Sequence, residues 1–144
     1  MQPPKKYIST KEWLQSVKHI DKEIKSLRYE QNRLLSKGLV SSPYAVKSLD
    51  SLYTNLNETR FIEYTHYSDI IGNKIKELYT LKEDVHNAIE GISNDISRIL
   101  LRERYINGKS FLEIATLLGL SYDYVIGDLH PAALRAVKVP DKYI

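Results

Sequence analysis

The stretch that decides the fold is Ser97–Val137, SRILLRERYINGKSFLEIATLLGLSYDYVIGDLHPAALRAV. Its apolar residues recur at helical spacing and predict three short helices. The first runs from Ile96 to Tyr105, with Ile96, Ile99, Leu100 and Tyr105 on one side. Asn107-Gly108 ends it, because these residues tolerate the left-handed backbone that closes a helix. The second opens with Ser110 and Glu113, the spacing at which side chains satisfy backbone N–H groups left free at a helix start. Ile114, Ala115 and Leu118 form its apolar stripe. Gly119-Leu120-Ser121 is a tight turn in which Gly119 frees the backbone, Leu120 plugs the core and Ser121 caps a third helix. Val125, Leu129, Ala132 and Ala133 are expected to face inward on that helix.

Two short helices joined by such a turn predict a helix-turn-helix. Ala115 is small where the helices must approach closely. The third helix would then lie in the major groove of DNA, presenting Tyr122, Asp123, Ile126, Gly127 and His130 near its leading end. Tyr124 is a further groove candidate, and Ser121 stands at the helix start. Tyrosine hydroxyls donate to phosphate, and Ile126 suits a thymine methyl. Candidate phosphate contacts are Arg98, Arg102, Arg104, Lys109, Arg135 and Lys138. For His130 two places stay open: against nucleic acid, or packed on the domain's own first helix.

The segment RILLRERYINGKSFLEIATLLGLSYDYV resembles the region-4-like domain of sigma-70 factors. It looks closer still to small phage transcription regulators of Gram-positive hosts, the RinA/ArpU-type late-gene activators. The residues that carry the likeness are Leu101, Arg104-Tyr105, Asn107-Gly108-Lys109-Ser110, Glu113-Ile114-Ala115, Ser121, Val125, Leu129-His130 and Ala133-Leu134. The preceding stretch, Ile71 to Ile92, fits the same layout more loosely. The resemblance implies binding of double-stranded DNA, transcription regulation in a bacterial cytoplasm, and host RNA polymerase as a further partner. The chain departs from the family in its third helix. Where relatives carry Arg or Lys, it has Asp123, Gly127 and Asp128, and Pro131 follows His130. Carboxylates repel phosphates, although they accept from cytosine N4. Pro131 is expected to kink or end the helix.

Composition sets the outer bounds. Over 144 residues, 42% hydrophobic and 27% charged residues suit a folded soluble chain. The absence of cysteine rules out disulfides and thiolate metal sites, and fits a reducing compartment. No apolar run is long enough to span a bilayer, so no membrane role is expected, and MQPPKKYIST lacks the apolar core of a secretory signal. The net charge of +3 is unevenly spread. Residues 1–37 hold nine Lys/Arg against four Asp/Glu, residues 38–92 five against eight, and residues 93–144 seven against six. The last segment is thus barely basic for a DNA reader.

The first 92 residues read as a helical stem. Met1 to Ser9 is expected to be a loose tail, with Thr10 capping a helix that runs to about Lys37. Trp13, Val17, Ile20, Ile24, Leu27 and Leu34 form a heptad-like seam, interrupted by Gln31. Leu39 to Asn57, with Ser41-Ser42-Pro43, is a hinge. A second helix from about Glu58 to Ile92 carries Ile71, Ile75, Leu78, Val85, Ile89 and Ile92, with Gly72-Asn73 as a weak point. The expected architecture is all-α: a long antiparallel two-helix hairpin, residues 1–92, followed by the helix-turn-helix domain, residues 93–144. Two helices cover each other's seams poorly, so a homodimer through the stem is expected.

Other chemistries fare worse. Glu63/His66 and Glu83/His86 have the Glu-x-x-His spacing of helical di-iron sites, but at twenty residues apart on one helix they would be separated by about 30 Å. They read as solvated polar residues, and no metal or cofactor is expected. Tyr53, Phe61, Tyr64, Tyr67 and Tyr79 read as helix packing rather than a platform for stacking bases. No phosphate loop, dinucleotide fingerprint or nucleophile motif is present, so no catalytic residue is expected and the chain reads as a non-enzyme. The alternative to a DNA-reading regulator is an assembly protein, either a small-terminase-like packaging subunit or a protein-binding helical adaptor.

Overall fold

The computed structural model describes residues 3–39 and 50–144, with side chains throughout except at 35, 37–39 and 50–60. Among these residues the protein is all-helical. The elements are α1 (Thr10–Gln15), α2 (Ile20–Leu39), α3 (Asp50–Glu90), α4 (Asp95–Leu101), α5 (Phe111–Leu118), α6 (Tyr122–Tyr124) and α7 (His130–Ala136). A π turn, Arg102–Ile106, continues α4, a second, Val125–Leu129, joins α6 to α7, and a 3-10 turn covers Asp141–Tyr143. No helix among the described residues is long and apolar enough to cross a membrane.

The chain divides into two compact units, one of Met1–Asp21 with Thr80–Ile144, the other of Lys22–Tyr79. The sequence had suggested a single boundary near residue 92. The difference arises at the N-terminus. Trp13 and Leu14 are fully buried, and the Trp13 ring lies 5.4 Å from that of Tyr143. The Tyr143 hydroxyl donates to Asp84 Oδ2 at 2.6 Å, and Lys142 pairs with the same oxygen at 2.7 Å. Burial raises the Asp84 pKa, but the bonds from Lys142 and Tyr143 outweigh it and hold the carboxyl below its usual range. Residues expected to be a loose tail are fixed here too: Tyr7 N–H donates to the Tyr143 carbonyl at 2.8 Å, and Lys6 Nζ to that of Lys142 at 2.8 Å.

The single helix expected over Thr10–Lys37 is two. Ser9, not Thr10, caps α1 through its bond from Glu12 N–H. The Ser16 hydroxyl donates to the Trp13 carbonyl, and Val17, Lys18 and Ile20 N–H bond three residues back instead of four. A serine competing for a helix carbonyl and a run of tightened turns together interrupt the α ladder. The second long helix starts at Asp50, eight residues before the expected Glu58, and passes Gly72-Asn73 without ending. Of the expected hinge, residues 40–49 lie outside the described residues.

In the second unit, Ile24, Ile71, Ile75 and Leu78 are buried, while Leu27 and Leu34 are half-buried. The Gln31 amide donates to Ser68 Oγ at 2.9 Å, which explains the polar residue within the apolar seam. The aromatic residues expected to pack do so poorly: Phe61, Tyr67 and Tyr79 are exposed and Tyr64 is half-buried. Both Glu-x-x-His pairs are exposed.

Since Trp13 is wholly enclosed in the first unit, Trp13→Ala should cost about 3–5 kcal/mol of stability, the usual scale for removing a buried aromatic side chain. Denaturant unfolding measures this. A shift under 1 kcal/mol would mean that α1 is not part of that unit's core.

Candidate nucleic-acid interface

The candidate interface belongs to the first unit. It is built from α4 with its π turn, α5, and the α6–α7 segment. The local signals read from the sequence operate as chemistry. Ser110 Oγ accepts from Glu113 N–H at 3.1 Å, and Ser121 Oγ from Tyr124 N–H at 3.2 Å. Gly119 has φ +68°, with Leu120 N–H bonding back to Ala115 O and Gly119 N–H to Thr116 O. This left-handed closure turns the chain sharply between α5 and α6. Gly108, at φ +73°, closes the preceding helix in the same way.

The packing between these helices centres on His130. Tyr105 OH lies 2.7 Å from His130 Nε2, and the two rings stack with centroids 5.9 Å apart. Phe111 meets the imidazole edge-on at 4.8 Å. The guanidinium of Arg104 lies 4.1 Å from the Phe111 ring centroid and donates to Lys109 O at 3.2 Å. One imidazole thus ties the end of the α4 segment, the start of α5 and the start of α7. His130 is only 7% exposed. Burial, helped by the charges of Lys11 and Arg104, depresses its pKa to about 4. The neutral ring shares this bond through Nε2, as acceptor or as donor according to its tautomer. Of the two places left open by the sequence, His130 takes the inner one, and it is withdrawn from the surface.

Around this core, Leu100, Leu101, Ile114, Ala115, Val125 and Ala133 are buried. Ile96 and Ala132, expected inside, are exposed. Pro131, expected to break the helix, sits in the first turn of α7, and the helix continues to Ala136. The π turn ahead of it accounts for the exposure of Ala132 and lies upstream of the Pro131 turn. His130 N–H bonds to Val125 O, five residues back, so this turn holds one residue more than an α turn and shifts everything after it around the axis.

The other groove candidates are at the surface. Ser121, Tyr122, Asp123, Tyr124 and Ile126 are all exposed at the leading end of the α6–α7 segment. The cation candidates divide sharply. Lys109 pairs with Glu103 at 2.8 Å and Arg102 with Glu90 at 2.6 Å. Arg98 pairs with Asp95 and also donates to Ile92 O. Arg104 lies on Phe111. The hydrogen bond from Lys109 lowers the Glu103 pKa, and the same bond raises that of Lys109. Arg135 and Lys138 are exposed and make no ion pair with the described residues.

Two features escaped sequence reasoning. Leu112 and Leu117 are 63% and 55% exposed on α5, beside the candidate face in sequence. Their signal was present, since neither fits the Ile114–Leu118 stripe. The proximity of Lys11 to His130 had no signal, because it joins residues far apart in sequence. Searches of protein-family models, curated proteins and solved structures found no match to the chain.

The imidazole gives a pH test. Its folded pKa lies below the unfolded value near 6.5, so the unfolded chain binds the proton more readily. The resulting stabilisation is complete above about pH 6.5 and is lost as pH falls towards 4. Denaturation midpoints should drop across that window, and His130→Gln should flatten the drop. An equally steep fall in His130→Gln would assign the effect to other groups.

Proposed function

We propose that the chain is a DNA-binding transcription regulator of the phage late-gene activator type, in which α5 and α6–α7 act as a helix-turn-helix. The observation that carries the proposal is the exposed, serine-capped leading end of α6, anchored from behind by the buried Val125, His130 and Ala133. That combination suits a helix entering a groove. Tyr122, Asp123, Tyr124 and Ile126 are its groove residues. Arg135 and Lys138 supply phosphate contacts without first breaking an ion pair. Arg98, Arg102 and Lys109 would have to exchange a carboxylate partner for phosphate, which reduces their contribution. The two-helix stem makes the regulator a homodimer, and host RNA polymerase is its further partner.

A second reading, a protein-binding adaptor, is favoured by one observation. Leu112, Leu117, Tyr122 and Ile126 are large apolar side chains left at the surface, and exposed apolar patches mark protein contacts.

Gel shifts on intergenic fragments of the encoding genome, at two salt concentrations, distinguish the two. A regulator shifts some fragments selectively, and its affinity falls with salt. Arg135→Ala and Lys138→Ala should each weaken binding alike on all fragments and lower the salt slope by about one unit. Tyr122→Ala should weaken selective binding more than non-selective binding. If no fragment shifts even at low salt, the adaptor reading stands instead.

A further inference from the structure

Most cations of the first unit's helix-turn-helix are engaged, whereas those along α2 are not. At about 100° per residue, Ile20, Ile24, Leu27, Gln31 and Leu34 fall within about 40° of one direction. That direction is inward: Ile20 and Ile24 are buried and Gln31 meets Ser68. Lys22, Lys25, Tyr29 and Arg33 fall on the opposite side, at about 140–220°. All four are exposed, and neither lysine nor the arginine makes an ion pair with the described residues. Tyr29 is 71% exposed, more than any other described tyrosine, so packing has no use for it. The carboxylates of α2 are Asp21, Glu23 and Glu30. Asp21, at about 100°, is held by Lys82 at 2.8 Å. Glu23 and Glu30 border the other edge, at about 300° and 280°, and Arg28 lies beside Asp21 at about 80°. No carboxylate of α2 falls within the outward stripe, which runs about 16 Å along the helix. Like charges three residues apart, as in Lys22 and Lys25, weaken a helix, so this segregation does nothing for folding.

We propose that the outward face of α2 is a second binding surface for double-stranded DNA, with Lys22, Lys25 and Arg33 on backbone phosphates and the Tyr29 hydroxyl donating to another. The stripe selects the chemistry of its partner. A row of unneutralised cations matches a regularly charged polyanion, and binding gains from the counterions that polyanion releases. An anionic membrane offers charge of the same sign, but a helix that binds one sinks a free apolar face into it. The apolar face of α2 is turned inward with Ile24. Phosphate contacts fix position and carry no sequence information, so this surface binds every duplex alike. The choice of DNA among polyanions rests on the proposed regulator. The stripe itself belongs to the second unit, and its binding does not require α6 to read a sequence.

Fluorescence anisotropy of a labelled mixed-sequence duplex, over a series of salt concentrations, measures this binding on the full chain. The wild-type chain should bind, with affinity falling steeply as salt rises. Lys22→Gln, Lys25→Gln and Arg33→Gln combined should weaken binding about tenfold or more at low salt and lower the salt slope by about two to three units. Lys25→Gln alone, a change at one exposed position, should lower it by about one unit while circular dichroism shows helix content unchanged. Lys74→Gln, exposed on α3, removes the same charge and should leave the slope as it was. Gel shifts on the genomic fragments separate this surface from the helix-turn-helix. Selective shifts that persist in the triple variant with an unaltered slope overturn the α2 surface and keep the regulator. A slope lost in the triple variant, with no fragment preferred and Tyr122→Ala without effect, supports the α2 surface and removes the sequence reader. Failure of the wild-type chain to bind the mixed duplex, or an equal change of slope in Lys74→Gln, would overturn the proposal. So would binding to phosphatidylserine vesicles as tight as to the duplex and equally lost in the triple variant.

Discussion

The hydrogen bond between Tyr105 and His130 is the constraint on which the first unit's arrangement depends. An imidazole buried among three helices must be neutral, since a charge there has lost its water and faces Lys11 and Arg104. A neutral ring has one nitrogen that donates and one that accepts, and whichever role Nε2 takes is met by the phenol at 2.7 Å. Leaving that nitrogen unpaired would cost about 1–3 kcal/mol. The pair therefore fixes the end of the α4 segment against α7, and Phe111 against the same ring sets where α5 begins. Once those positions are set, the Gly119 closure aims the chain and Ser121 starts α6 at the surface. The exposed leading end is thus a consequence of a buried contact.

Much of this unit was legible in the sequence because its signals are local. A serine three residues before a free N–H, or a glycine where φ must be positive, acts through its neighbours alone. Ser110, Gly119 and Ser121 are of this kind. So are the buried positions of the α3 seam, where spacing alone puts Ile71, Ile75, Leu78, Val85 and Ile89 on one side. Long-range pairings left no such trace. That Arg102 is held by Glu90 depends on α3 and the α4 segment meeting, and that Trp13 lies on Tyr143 depends on the two ends of the chain meeting. Helical periodicity also misled where the period itself changed, as at Ala132, and where a serine hydroxyl competed for a backbone carbonyl, as at Ser16.

The fate of the arginines and lysines alters the view of the surface more than their number does. Counted in sequence, residues 93–144 offer seven cations. In the structure, Arg98, Arg102, Lys109 and Lys142 are engaged by carboxylates and Arg104 by an aromatic face. Exposed ion pairs of this type are worth little to stability, with a median of about 0–1 kcal/mol. Their larger effect is on recognition, since a cation already neutralised attracts a polyanion less. The number of cations overstates the positive field this unit offers.

The π turn at Val125–Leu129 makes the segment behave as a gear with one extra tooth. Upstream of it, the faces are those an ordinary helix would show; downstream, each residue has rotated by up to about 100°. Loss of one residue within the turn would restore regular pitch without shortening α6 or α7 themselves. It would leave the imidazole on the inner side, because the residue removed is the one the wide turn absorbs. Wound at regular pitch with every residue kept, the segment would instead turn the imidazole out of its slot and swing Ala132 in, so the inner wall is set by the pitch of this turn as well as by its side chains.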